Sequence, residues 1–159
     1  MTPEEIISVI ENKLCGIVPK ESWGETSLFY NPGRVLPNGV YFCTIKHQNG
    51  NNDKASDLDR PGVFRVAIGL NPDTYVRLFG PKPGRPLKGG IVVTDNNYDF
   101  TKLNELMPHP IYAWMGWAQI LCPSRNQFES IFPLIEEAYK GAVRKFKKKT
   151  TNHSNAADD

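Results

Sequence analysis

The segment Met107-Pro108-His109-Pro110-Ile111-Tyr112-Ala113-Trp114-Met115-Gly116-Trp117 gathers the residues best suited to chemistry. Prolines on both sides of His109 fix their own φ and disfavour helix in the residue before each, so the histidine is held extended. If a strand runs from Tyr112 to Leu121, Tyr112, Trp114 and the Gly116 backbone share one face. That face could line a pocket with aromatic walls, His109 serving as a polar handle or a general acid–base near neutral pH, and Tyr112, Trp114 and Trp117 would shape the pocket. The competing reading buries the tryptophans in the core and gives His109 a hydrogen bond to a neighbouring loop.

A second cluster, Asp57-Leu58-Asp59-Arg60-Pro61-Gly62, leads into a strand carrying Arg65. Carboxylates beside a guanidinium can orient a ligand or activate a histidine, which makes Asp59 and Arg60 candidate catalytic partners of His109, and Arg65 a candidate ligand-binding residue. Asp59 and Arg60 equally suit an ion pair that braces the loop. Lys82, Arg85 and Lys88, in the Pro/Gly-rich stretch 81–90, could close over an anion or simply solvate an exposed connection. Arg144, Lys145, Lys147, Lys148 and Lys149 are explained by the C-terminal end of a helix, whose dipole favours positive charge.

Several classes are disfavoured. There is no P-loop, dinucleotide-binding glycine fingerprint, nucleophile elbow or HExxH motif, so no cofactor is expected. Cys15, Cys43 and Cys122 are odd in number and lack CxxC spacing, and with only His47, His109 and His153 beside them no metal site is expected either. A net charge of +2 gives no argument for nucleic acid, which stays a disfavoured partner. The acidic start Met1-Thr2-Pro3-Glu4-Glu5 and the lack of an apolar run near 20 residues lead us to expect a cytoplasmic protein with no membrane span.

The elements that must position these residues follow from capping and periodicity. Thr2, Pro3 and Glu5 start a helix whose Ile6, Ile7, Ile10 and Leu14 share a face, and Gly16 offers a left-handed stop. Strands are expected over 27–30, 40–46 and 63–68, with Arg65 on the face opposite Phe64 and Val66, and a polar loop over 47–57. Asn71-Pro72-Asp73 opens a short helix ended by Gly80-Pro81. Ile91 to Thr94 reads as a short strand, Leu103 to Met107 as a helical turn, and Tyr112 to Leu121 as a long strand. Ser124 and Gln127 cap a final amphipathic helix through Phe146, which Pro133 should kink or split near Phe132. The expected domain is 1–149, with 150–159 a disordered tail. Terminal helices around strands joined by short turns imply an α+β fold with a mainly antiparallel sheet.

Ser56-Asp57-Leu58-Asp59-Arg60-Pro61-Gly62-Val63-Phe64-Arg65-Val66, Pro108-His109-Pro110-Ile111-Tyr112 and Gly116-Trp117 together resemble an uncharacterised family of short bacterial and fungal proteins. The ending, Trp117 to Leu121 and then Phe128 to Phe146, is remotely similar to the MmcQ/YjbR-like proteins. That resemblance implies a curved antiparallel sheet flanked by helices, and some MmcQ/YjbR-like proteins have been proposed to bind DNA. The expected function is small-molecule binding, with cofactor-independent acid–base chemistry of an isomerase, cyclase or hydrolase type. The alternatives are a nucleic-acid-binding module and a protein-interaction or structural domain.

Overall fold

The computed structural model describes the backbone of residues 1–158 and the side chains of residues 1–152. Helix α1 (Pro3–Lys13) begins where the Thr2 hydroxyl accepts the Glu5 N–H at 3.1 Å, and buries Ile6 and Ile10. Six strands then form one antiparallel sheet in the order β1-β2-β3-β4-β6-β5: β1 (Ile17–Ser22), β2 (Glu25–Tyr30), β3 (Val40–Lys46), β4 (Arg65–Gly69), β5 (Met107–Pro108) and β6 (Trp117–Leu121). Helix α2 (Pro72–Phe79) follows β4, and α3 (Arg125–Asp158) closes the chain and lies over β2, β3 and β4. The fold is α+β, with helices at both chain ends packed on one face of the sheet.

Strand β1 was not expected from the sequence. It is a half-exposed edge strand, and such an edge tolerates Pro19, which cannot donate to a ladder. A two-residue turn with positive φ at Trp23 (55°) and Gly24 (76°) joins it to β2, the backbone twist that suits a tight hairpin.

The core lies between the helices and the inner face of the sheet, where Leu28, Phe42, Ile45, Phe64, Val66, Ile68 and Ile120 meet Ile6, Ile10, Phe128, Ile131 and Ile135. One irregularity in β3 shapes the opposite face. Leu28 pairs with Cys43 but Phe29 pairs with Tyr41, so Phe42 is an extra residue in the strand. Phe42 and Cys43 both join the core, and Tyr41 and Thr44, three apart in sequence, both reach the outer face.

Four expectations need correction. Residues 91–94 form no strand; Val92 is buried and its N–H donates to the Pro110 carbonyl at 2.8 Å. Residues 103–107 form no helical turn, and Met107 and Pro108 pair instead with β6. Residues 112–121 are not one strand, because Ala113–Met115 make a 3₁₀ turn that ends at Gly116 with φ 88°. Pro133 does not split the last helix, which is continuous from Arg125 and capped by Ser124 accepting the Gln127 N–H at 3.2 Å. At the expected tail, the Thr150 hydroxyl still donates within the helix, to Phe146 and Lys147 carbonyls. The side chains of 153–159 lie outside the described residues, and most of the disordered-tail expectation falls there.

Candidate functional site

The outer face of the sheet carries three rows of side chains, set by strand register. Glu25, Lys46 and Arg65 stand side by side across β2, β3 and β4. Next to them run Ser27, Thr44, Ala67 and Gln119. Beyond those come Phe29, Tyr41 and Trp117, with Gly69 of β4 paired to Trp117. Small side chains between a charged row and an aromatic row leave a hollow, and His109 and Tyr112 wall it from the connection between β5 and β6. The cavity measures about 240 Å³.

Gly69 makes the aromatic wall what it is. A Cβ there would come within 3.0 Å of the Trp117 ring, so its absence lets the indole lie over β4. From there it stacks on Tyr41 of β3, centroids 5.4 Å apart and planes 26° from parallel, and Tyr41 in turn contacts Phe29 at 5.6 Å.

Arg65 is almost wholly buried, 1% exposed, and every part of its guanidinium has a partner. Asp53 takes two hydrogen bonds from it, at 2.6 and 2.9 Å, Gln119 accepts from Nε at 2.7 Å, and Ser56 from Nη2 at 3.2 Å. Lys46 adds a second ion pair to Asp53 at 3.0 Å. A tight turn places the aspartate: the backbones of Gly50 and Asp53 bond each other twice. Burial pushes the Asp53 carboxyl up, but the Arg65 hydrogen bonds and charge, with Lys46 behind them, outweigh it and hold the carboxyl well below the usual range.

His109 sits at the end of β5, its N–H bonded to the Trp117 carbonyl at 3.0 Å. Its Nδ1 accepts two backbone N–H bonds, from Ile111 and Tyr112, each 3.1 Å. An atom that accepts two donors carries no proton, so the neutral ring has its hydrogen on Nε2. Burial pushes the His109 pKa well below its ordinary value, and the positive charge of Arg65 acts in the same direction. Nε2 has no protein partner, and no fully buried side-chain nitrogen or oxygen among the described residues lacks one, so Nε2–H opens onto the cavity. His109 is a fixed hydrogen-bond donor rather than a group that gains and loses a proton near neutrality.

The cavity's carboxyl group is Glu25. Burial pushes its pKa up, against the lowering fields of Lys46 and Arg65. It makes no hydrogen bond or ion pair with any described residue, in contrast to Asp53 on the loop between β3 and β4. A desolvated carboxyl with a raised pKa and no protein partner is the kind of group that takes a proton from a bound molecule.

Of the residues singled out in the sequence, the fold brings His109, Tyr112 and Trp117 into one cavity wall and sets Arg65 in the adjoining charged row. The Tyr112 ring leans on His109, centroids 5.0 Å apart. Trp114 turns toward the core instead, with the Arg85 guanidinium 5.0 Å above its ring. Asp59 and Arg60 are not cavity residues. Asp59 accepts the Asn49 N–H at 2.9 Å, and Arg60 donates to the carbonyls of Asp57, Ser56 and Thr101 at 2.9, 3.0 and 2.9 Å, so both brace the loop over 47–62. Lys82, Arg85 and Lys88 do not line the cavity either.

Several polar residues of the site were missed, Glu25 and Asp53 above all. Glu25 carried a signal, since Glu25, Ser27 and Phe29 alternate with the inward Leu28 just after a Trp-Gly turn. Asp53 carried none beyond a turn-rich Asn-Gly-Asn-Asn-Asp run; its role depends on Arg65 meeting it across the fold. Among the described residues, no group of three or more His, Cys, Asp or Glu side chains stands close enough to hold a metal ion, and no helix is long and apolar enough to cross a membrane.

No curated protein and no solved structure matches the chain. The family of unknown function DUF6194 does, over residues 1–151, and with nearly its whole length matched the chain belongs to that family.

Proposed function

We propose that this protein binds a small carbonyl compound in the cavity on the outer face of the sheet and moves a proton on it without a cofactor. The observation that carries this reading is Glu25: a partly buried carboxyl with a raised pKa, left unpaired among the described residues and lining the same cavity as the Nε2–H of His109. In the proposed step, the Glu25 carboxylate takes a proton from the carbon next to the carbonyl. The C–H electron pair shifts toward the carbonyl oxygen, which the Nε2–H of His109 stabilises as negative charge develops there. Return of the proton to the same or a neighbouring carbon completes an exchange or an isomerisation. A neutral imidazole donor suits this role better than an imidazolium, because it stabilises the enolate without protonating it outright. Ser27 and Thr44 offer hydroxyls for further orientation, and the rings of Tyr41, Tyr112 and Trp117 exclude water from the apolar part of the ligand.

The remote MmcQ/YjbR likeness enters this reading as an architectural parallel only, because fold alone does not assign a reaction.

The test is deuterium incorporation. Mixtures of small carbonyl metabolites are incubated in D₂O with the wild type and with Glu25→Gln, and exchange is read by mass. Wild-type exchange at a carbon next to a carbonyl is expected, lowered about 10²–10⁴-fold in the variant, the range for a general base. Exchange equally fast with both proteins would remove Glu25 from the chemistry, and no enzyme-dependent exchange in any mixture would defeat the reading.

A further inference from the structure

A second cavity of about 280 Å³ adjoins the first around the ends of β3, β4 and β6, and Tyr41, Met115 and Trp117 line both. Its other side is a stripe of α3. Ala138, Gly141 and Ala142 are small enough to leave space, and Arg144, Lys145 and Lys148 rim it at helical spacing.

Among the described residues these cations have no partner: none of the three makes an ion pair or a side-chain hydrogen bond with one of them. The one carboxylate lining this cavity, Glu137, accepts a hydrogen bond from the Thr74 hydroxyl at 2.5 Å. Nor does the end of the helix account for the charges, as the sequence suggested. Helix α3 continues to Asp158, so Arg144, Lys145 and Lys148 lie within it, well before its C-terminus.

Size favours a ligand that uses both cavities. The first alone is smaller than the roughly 300–1,000 Å³ of ordinary ligand sites, whereas the two joined fall inside that range. Their chemistry divides between them, with a proton-transfer group and aromatic walls in one and unpaired positive charge in the other.

We propose that the ligand is an anion that spans both cavities: a planar carbonyl-bearing or aromatic head against Trp117 and Tyr41, and a phosphate or carboxylate group held by Arg144, Lys145 and Lys148. This rests on the reading of the first cavity given above and adds the ligand's charge to it. Turnover then needs a substrate class that the first cavity would not select by itself, small phosphorylated or carboxylated carbonyl compounds. The anionic group anchors the molecule while Glu25 and His109 act on its other end.

The test compares phenyl phosphate with phenol as probes in dilute buffer, following the Trp117 indole N–H and the Gly141 amide by NMR. Phenyl phosphate is expected to move both signals and to bind about tenfold more tightly than phenol, an advantage that shrinks as salt screens the charges. In the double variant Arg144→Glu/Lys148→Glu the ratio of the two affinities is expected to fall to about one. Equal affinities in the wild type, or an advantage that survives the charge reversal, would overturn the anion subsite and leave the first cavity's proton chemistry standing. Inorganic phosphate moving Gly141 while phenyl phosphate leaves Trp117 unmoved would overturn the shared ligand. Loss of deuterium exchange is a separate result and speaks only to Glu25 and His109.

Discussion

Arg65 is a positive charge set almost completely inside the protein, and Asp53 is the group that makes this tolerable. Asp53→Asn keeps the shape but strands the guanidinium, and breaking a buried pair from one side costs about 3–5 kcal/mol. Urea unfolding of this variant should show that loss; a change below about 1 kcal/mol would mean that the pair is effectively solvated. Acid should destabilise the wild type in two stages. The folded pKa of His109 lies below its ordinary value of 6.5, so the unfolded chain takes up the proton first. Its contribution is complete above that value and is lost as pH falls beneath it. Asp53 follows the depressed-carboxylate pattern, present above about 3.8 and lost as pH drops toward its lowered folded pKa. In His109→Gln the first stage should vanish from a plot of stability against pH. Glu25 has the opposite sign, because a raised folded pKa makes the native state the better proton binder. Glu25→Gln should therefore melt higher than the wild type at neutral pH, with the gain shrinking as pH falls through the carboxylate range. A site that gives up stability for reactivity behaves this way, and a lower melting temperature in the variant would make Glu25 a structural residue.

Among the elements, β4 and its Gly69 decide the shape of the aromatic wall. Gly69→Val places a branched side chain where the Trp117 ring now lies, so the stack on Tyr41 should break at a cost of about 1–3 kcal/mol for overpacking. Trp117 fluorescence and the near-ultraviolet dichroism of the Tyr41 pair report it; unchanged spectra would mean that the indole does not depend on the gap. Some of these elements were legible in the sequence for local reasons. α1 and α2 are marked by Thr2-Pro3 and Asn71-Pro72, local signals that capping chemistry obeys whatever surrounds them. Strand β4 and the outward direction of Arg65 follow from simple alternation. Strand β1 was hidden because Pro19 and polar neighbours suit an edge, and β5 because two residues carry no period. The segment after His109 was misread as a strand since Tyr-Ala-Trp-Met-Gly-Trp has β-forming composition, while Gly116 at φ 88° lets the chain turn first. That local error moved Trp114 to the wrong side of the wall yet left His109, Tyr112 and Trp117 together. Of the two roles the sequence offered Asp59 and Arg60, they take the loop-bracing one, since adjacent charges in a turn reach neighbouring backbone first.

For the molecule as a whole, the division of labour is between faces of one sheet. The helices cover the inner face and pack with its strands into the main apolar core, which leaves the outer face to carry charge, hydroxyls and a hollow. Ala67, 2% exposed in the row between charged and aromatic side chains, keeps that hollow open. Ala67→Leu should fill the cavity while leaving the opposite, core-forming face intact. The most direct measurement is a small-metabolite screen by NMR, following the Glu25 side-chain carboxyl carbon and the His109 Nε2 resonance in the wild type and in Ala67→Leu. At least one carbonyl compound is expected to move both resonances with the same concentration dependence, and to move neither in the filled variant. A compound that moves both equally well in Ala67→Leu, or a screen in which no compound moves either, would contradict a functional cavity on this face.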